Sequence, residues 1–377
     1  MRNVKTAKLI LEDGSEFIGW SFGGARAQAG EVVFTTGMVG YPQSLTDPSF
    51  RGQILVSTYP LVGNYGVPIN PKTGAPSFDE WGIPVHLESE RIQVAGFVVS
   101  EVCDEPSHFA SGATLSAWLE KNNVPGVFGV DTRSLTMRLR ERGVMMGKIV
   151  VQGHSGVDIE SGRISHPVAT ASPQEIKVFS KPNGTTAAGA SPPRIVLIDC
   201  GAKANILRCL LAQGATVIRV PWNHDLQGLD YDGIFLSNGP GDPKACGKTI
   251  ASMRRAFNNG KPIFGICLGN QILALAAGAD TYKLPYGHRG QNQPCIEVGT
   301  KRCYITSQNH GYAVRGDTLP RGWEPWFVNA NDGTIEGIRA ENGLFKAVQF
   351  HPEGCPGPRD TEFLIDAFVK QTVLCAR

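Results

Sequence analysis

Residues 261–271 read KPIFGICLGNQ, and the order of apolar residues and glycines in this stretch decides the fold. PIFGI is a short apolar run of strand type, and ILALAA, just beyond Asn270 and Gln271, has the make-up of a helix. Cys267 lies at the switch, between Gly265 and Gly269. A nucleophile on a sharp strand-to-helix turn needs small neighbours on both sides, the G-x-[S/C]-x-G pattern, because the turn leaves little room for side chains. It lifts the sulfur to the helix N-terminus, where free N–H groups attract negative charge. A cysteine at an apolar strand end is more often packing than chemistry, so this reading needs a partner. The stretch FKAVQFHPE, residues 345–353, supplies one: a strand running into His351, with Glu353 two residues on. Such a histidine can act as general base, and a nearby carboxylate can fix its tautomer.

Working outward, RIVLIDC at 194–200 is a continuous apolar run, as in a strand covered on both faces. Residues 204–213 carry Ile206, Leu207, Leu210 and Leu211 at helical spacing, and Gly214 ends them. Strands are predicted at 216–220, 234–237 and 262–266, with a helix over about 248–259. This alternation implies a doubly wound, mostly parallel α/β sheet, whose ligands bind outside the carboxyl ends of its strands. Cys267, the NGPGDP loop (238–243) and His351 all fall at such ends. Shorter strand-like segments are expected over 295–339, and a closing helix over 360–370.

Toward the start, residues 7–20 alternate around Asp13-Gly14, a hairpin signal. Strands are expected at 31–35, 53–58 and 94–99, and a helix at 113–121. Another helix follows Asp131, which can cap TRSLTMRLRER before Gly143 stops it. Together these predict an N-terminal α/β domain over 1–151. Residues 152–193, rich in Gly, Ser, Thr and Pro, read as a linker or mobile loop, leaving 194–377 as the second domain.

A net charge of +2 over 377 residues gives no electrostatic footprint for nucleic acid. No apolar run approaches a membrane span, and the N-terminus shows no targeting pattern, so a cytoplasmic location is expected. Nine scattered cysteines without a C-x-x-C pair point to a reducing compartment and no structural metal. GDPKACGKT at 241–249 imitates a phosphate-binding loop but has five residues between its glycines where four are required.

GICLGNQ, followed by QFHPE and preceded by LSNGPGDP (236–243), resembles the class I (triad) glutamine amidotransferases. SQNHGYAV (307–314) and GEVVFTTGMVGYPQSLTDPSF (30–50) resemble the small, glutaminase component of carbamoyl phosphate synthetase, and the resemblance covers nearly the whole chain. It implies a triad of Cys267, His351 and Glu353 that cleaves the side-chain amide of glutamine through a thioester. Carried over residue by residue, glutamine is held by Ser49, Gly239, Gly241, Leu268, Gln271, Asn309, Gly311 and Tyr312. Ser49 would reach it from the first domain, and backbone N–H groups of Leu268 and Gly241 would hold the oxyanion. His310, within the SQNHGYAV loop, is given a structural role, and His288 a role in packing a loop or facing a partner. Many relatives have His where this chain has Asn270, a position outside the triad.

The resemblance also implies a synthetase partner, as a separate large subunit or a fused downstream domain, that uses ATP and bicarbonate; no cofactor is expected in this chain. TYPLVGNYGVP, RGQNQPC and SQNHGYAV look closer to the fused, pyrimidine-pathway form, which would make this chain part of a longer one. The rival readings are a catalytically silent regulatory version, a different class I amidotransferase, or a cysteine hydrolase of the same sheet type acting on peptides or folate conjugates.

Overall fold

A computed structural model describes residues 5–154, 156–180 and 191–376. The core of the predicted linker, 181–190, lies outside them, as do the first four residues of the N-terminus read for a targeting signal. The chain divides into two compact units, Met1–Ser165 and His166–Arg377.

In the first unit the predicted hairpin forms: Thr6–Leu11 pairs antiparallel with Glu16–Gly23. Gly14 at the turn takes φ +83°, a conformation that glycine adopts without strain. Five further strands, Gln28–Thr35, Ile54–Ser57, Gly96–Val98, Pro125–Phe128 and Met145–Val151, close with these two into a barrel. Closure was not foreseen, because it joins the first strand to the last, Ala7 opposite Val151, and no local pattern encodes that pairing. The helices Leu115–Lys121 and Thr132–Arg142 stand where expected. The Asp131 carboxylate caps the second by accepting from Ser134 N at 2.9 Å, and Gly143 ends it at φ +89°.

The second unit is built on a ten-stranded sheet. Its middle strands run parallel in the order Thr216–Pro221, Arg194–Asp199, Gly233–Leu236, Ile263–Ile266, Phe345–Val348. The helix Ala204–Ala212 connects the first two of these in one direction, and Gly247–Ala256 connects the third and fourth in the other. Right-handed crossovers therefore place these helices on opposite faces, the doubly wound arrangement, with its switch point beside the Arg194–Asp199 strand. Val196, Ile198, Leu236, Ile272 and Leu273 are buried in the core on one side.

Two expectations need correction. Residues 295–339 do not hold only short strands: Asp280–Glu297 and Cys303–Arg315 are long antiparallel partners of 18 and 13 residues. Pro285, Gly287, Gly290 and Pro294 hide the first from a search for regular alternation, and register shifts fall between Lys283 and His288 and between Gly290 and Gln293. SQNHGYAV is accordingly strand, not loop. The segment expected as linker also carries structure: Pro167–Ala171 is helical, and Lys177–Phe179 adds an edge strand beside Thr216–Pro221. Val168 and Phe179 are buried apolar anchors inside a polar composition. Ser172 fastens them by donating to Asp199 O at 2.6 Å and accepting from Trp222 N at 3.0 Å.

Candidate active site

The strand Ile263–Ile266 is buried throughout and runs directly into the helix Leu268–Ala277, with Cys267 as its N-cap. A β-carbon on Gly265 would lie 2.7 Å from backbone atoms of Gly269, and one on Gly269 would lie 2.5 Å from Leu236 O. The flanking glycines are thus required by the contact between backbones. Cys267 itself has φ +55° and ψ −104°, a strained conformation for a residue with a side chain. It is held by Cys267 N donating to Val348 O at 2.8 Å, and by its carbonyl accepting from Asn270 N at 3.0 Å. The thiol is buried, and Sγ lies 3.6 Å from Asn309 O.

His351 follows the adjacent strand and is fixed through its N–H to Ser307 O at 2.9 Å. Its Nδ1 is 2.6 Å from Glu353 Oε1. The other ring nitrogen, Nε2, is buried with no hydrogen-bond partner, and the Cys267 side chain is near enough to increase the ring's hold on its proton. Burial works against an imidazolium here, but the Glu353 charge and the Cys267 contact outweigh it and raise the His351 pKa to about 10. Burial likewise works against the Glu353 carboxylate, yet Lys203 and His351 together hold its pKa down to about 2. Imidazole and carboxylate thus hold opposite charges against each other, with the Cys267 side chain beside the ring.

Lys203 is the residue that sequence reasoning missed. Its Nζ sits 3.1 Å from Glu353 Oε1, with only 3% of the side chain exposed, and it also donates to Gly354 O. Asn205 Nδ2 donates to Glu353 O at 2.6 Å, and Asn238 Oδ1 accepts from Lys203 N at 3.0 Å. The available signal was position: Lys203 follows the Arg194–Asp199 strand at the switch point, the one buried lysine in DCGAKAN.

Of the predicted glutamine-binding residues, several converge. Gln271 Nε2 donates to Tyr312 O at 2.8 Å and to Gln349 Oε1 at 3.1 Å, tying the cysteine helix to the strand that carries Asn309, Gly311 and Tyr312. Leu268 opens the helix, so its N–H is among those without an intrahelical acceptor. Gly239 packs against it: a β-carbon there would meet Leu268 Cδ2 at 2.8 Å and Cys200 O at 2.4 Å. Gly241 has φ +89° and faces Pro167. Ser49 belongs to the first unit, buried in the turn Pro48–Phe50, with its N–H on Asp47 Oδ1 at 2.8 Å. The loop resembling a phosphate site instead forms the turn Pro243–Ala245 ahead of the helix Gly247–Ala256.

His310 is engaged by groups other than the sulfur. Its Nδ1 lies 2.9 Å from Tyr312 O and its Nε2 3.6 Å from Glu336 Oε1. His288 sits on the long strand Asp280–Glu297, with Nδ1 3.1 Å from Glu336 Oε1 and Nε2 2.9 Å from Asp332 Oδ2. Among the described residues no helix is long and apolar enough to cross a membrane.

Two family models match the chain. Residues 196–371 match the family model for glutamine amidotransferase class-I, and residues 9–149 match that for the carbamoyl-phosphate synthase small chain, CPSase domain. The chain is 45% identical over 379 aligned positions to multifunctional protein pyr1-3 of Dictyostelium discoideum, covering 97% of this chain and 17% of that one. It is 47% identical over 391 positions to multifunctional protein pyr-3 of Neurospora crassa (97% and 21%). It is 44% identical over 367 positions to carbamoyl-phosphate synthase [ammonia], mitochondrial, of Mus musculus (97% and 24%). The chain thus spans about a fifth of the length of these relatives.

Proposed function

The chain belongs to the carbamoyl-phosphate synthase small-chain family, with a class I glutamine amidotransferase domain, and from that premise we propose that it hydrolyses the side-chain amide of glutamine to supply ammonia to a carbamoyl phosphate synthetase. The observation that carries this reading is the arrangement of His351, with Nδ1 on Glu353 at 2.6 Å, beside a buried cysteine on a strained strand-to-helix turn.

In this mechanism the thiol has already given its proton to His351 Nε2, consistent with the raised pKa of the ring, and the thiolate Sγ of Cys267 attacks the amide carbon. The oxyanion is held by N–H groups of Leu268 and Gly241, each such donor worth about 3 kcal/mol. Collapse breaks the C–N bond as His351 protonates the leaving ammonia, and a γ-glutamyl thioester remains. Water, deprotonated by the now neutral His351, attacks the thioester and releases glutamate and the thiol. Glu353 fixes the ring and steadies its charge, and Lys203 keeps Glu353 ionised. Glutamine itself is gripped by Gln271, Asn309, Gly311 and Tyr312 and by Gly239 and Gly241.

Ammonia released into water becomes ammonium and loses its nucleophilicity, so the product is passed to a synthetase that consumes ATP and bicarbonate, as a separate subunit or a fused domain. The share of the pyr-type relatives that this chain spans supports the fused form. Nine free cysteines support a reducing compartment, taken here as the cytoplasm.

One observation favours a second reading. A relative at 44% identity is named for ammonia, which fits a subunit that no longer cleaves glutamine. Release of glutamate from glutamine, measured with and without a synthetase partner and in parallel with Cys267→Ser, separates the two. Activity abolished by Cys267→Ser supports hydrolysis; no glutamate from the unaltered chain in either condition establishes the silent form.

A further inference from the structure

His288, His310 and Glu336 are presented by three strands of one sheet, Asp280–Glu297, Cys303–Arg315 and Ile335–Ala340. One donor atom from each lies within 4.8 Å of the others. The hydrogen bonds around them dictate where the protons are. His310 Nδ1 faces the Tyr312 carbonyl at 2.9 Å, an oxygen that can only accept, so Nδ1 carries hydrogen. His288 Nε2 faces Asp332 Oδ2 at 2.9 Å, and the same logic applies.

In the tautomers that these outer bonds select, the second nitrogen of each ring faces inward. His288 Nδ1 lies 3.1 Å from Glu336 Oε1. His310 Nε2 lies 3.6 Å from the same oxygen and 3.3 Å from Gln308 Oε1, also an acceptor. Two ring nitrogens and a carboxylate converging in this way call for a cation between them, either a proton or a metal ion. The Asn329 amide, at 3.4 Å from Glu336 Oε1, meets part of this need. Glu336 Oε2 is buried and makes no hydrogen bond, on a residue with no exposed surface. A second proton on both rings would place two imidazolium ions side by side, with centroids 4.9 Å apart.

We propose that His288, His310 and Glu336 form a binding site for one divalent cation of the zinc class. Two imidazole nitrogens and a carboxylate suit such an ion, and bonds of about 2.1 Å in a tetrahedron separate the ligands by about 3.4 Å. The separations of 3.1 and 3.6 Å from Glu336 Oε1 bracket that value, so only the two rings need to close on each other. The outer bonds to Asp332 and to the Tyr312 carbonyl have the pattern that holds ligating histidines in their metal-binding tautomers. The His288 side chain is 12% exposed and gives the ion an entry. His310 stands between Asn309 and Gly311, so an ion here braces the strand to which glutamine binding was assigned above. That consequence rests on the proposed glutaminase reading, whereas ion binding does not.

The test strips the full chain with a chelator, titrates it with Zn2+ against a chromogenic competitor, and separately loads it with Co2+. One ion per chain is expected, weakened at least tenfold in His288→Ala and in Glu336→Gln, and unchanged in Cys267→Ser. The Co2+ spectrum of the unaltered chain should show tetrahedral d–d bands without thiolate charge transfer, which keeps the test decisive if a variant fails to fold. Failure to retain Zn2+ against the competitor, a thiolate charge-transfer band, or binding lost in Cys267→Ser but kept in His288→Ala would overturn the proposal. Because hydrolytically dead Cys267→Ser must still bind, its failure as a glutaminase leaves this outcome separate.

Discussion

His351 and Glu353 lie two residues apart on one loop, whereas His288, His310 and Glu336 are carried by three strands. Both glutamates are fully buried and both face imidazole, yet their charge is met differently. Glu353 has a fixed cation behind it, Lys203 at 3.1 Å, so His351 is free to turn its second nitrogen to the sulfur. Glu336 is shared between two rings whose outer nitrogens are already bonded to oxygen. A histidine–carboxylate pair with its own counter-ion can move a proton in and out. One without such a counter-ion must keep a proton or acquire a metal ion.

The comparison breaks most visibly at the sulfur. Cys267→Ala should lower glutamate release by about 10⁴-fold or more, since members of such a unit are lost together. Cys303→Ser, at an exposed thiol, should leave it unchanged in the same assay. Comparable losses in both would remove Cys267 from its assigned role.

Next comes the cation. Lys203→Met leaves Glu353 buried beside His351 alone and should destabilise the second unit by about 3–5 kcal/mol, read from urea denaturation. Glu353→Gln strands Lys203 instead, and should also slow glutamate release by about 10²- to 10⁴-fold, because the ring loses its orienting carboxylate. The double variant should recover part of the stability and none of the activity. Full additivity of the two stability losses would mean that the 3.1 Å contact contributes no coupling.

How far each arrangement could be read from the chain follows from its spacing. Cys267, Gly265, Gly269 and the His351–Glu353 pair sit in two short runs whose chemistry is local, and the parallel strands around them announce themselves by apolar composition. Lys203 was overlooked because a lysine is ordinarily solvated, and only strand order shows that this one ends beneath the site. The Glu336 cluster was illegible: its three members are 22 and 26 residues apart, on strands whose glycines, prolines and bulges conceal the alternation. Barrel closure in the first unit failed for the same reason, being a pairing between the two ends of that unit.

Acid and base sharpen the comparison further. Raised to about 10 from 6.5, His351 contributes stability that is full below pH 6.5 and lost as pH rises through 10. Glu353, lowered to about 2 from 4.5, contributes stability present above pH 4.5 and lost as pH falls through 2. The pair should therefore stabilise most between pH 4.5 and 6.5, by a few kcal/mol at the order-of-magnitude level, with decline on both sides. Thermal denaturation across pH should show this dome in the unaltered chain and a flatter one in Glu353→Gln. Identical profiles would mean that the pair's proton affinities are not perturbed by folding.

The smallest effect is expected at Asn270, a buried position outside the triad. Its Nδ2 donates to Gln349 Oε1 at 3.1 Å, an oxygen that also accepts from Gln271 Nε2 at 3.1 Å. Asn270 Oδ1 is buried without a partner. Removing the side chain thus deletes one hydrogen bond while Gln349 Oε1 keeps its other donor, so Asn270→Ala should cost about 1 kcal/mol. Asn270→His can offer a ring N–H to the same oxygen and should be closer to neutral, with glutamate release in both variants within about threefold of the unaltered chain. The urea midpoint and the rate are measured on the same preparation. A loss of rate beyond tenfold with stability intact would show that Gln349 transmits the residue at 270 to Gln271 and on to the Tyr312 carbonyl, bringing it into the glutamine site.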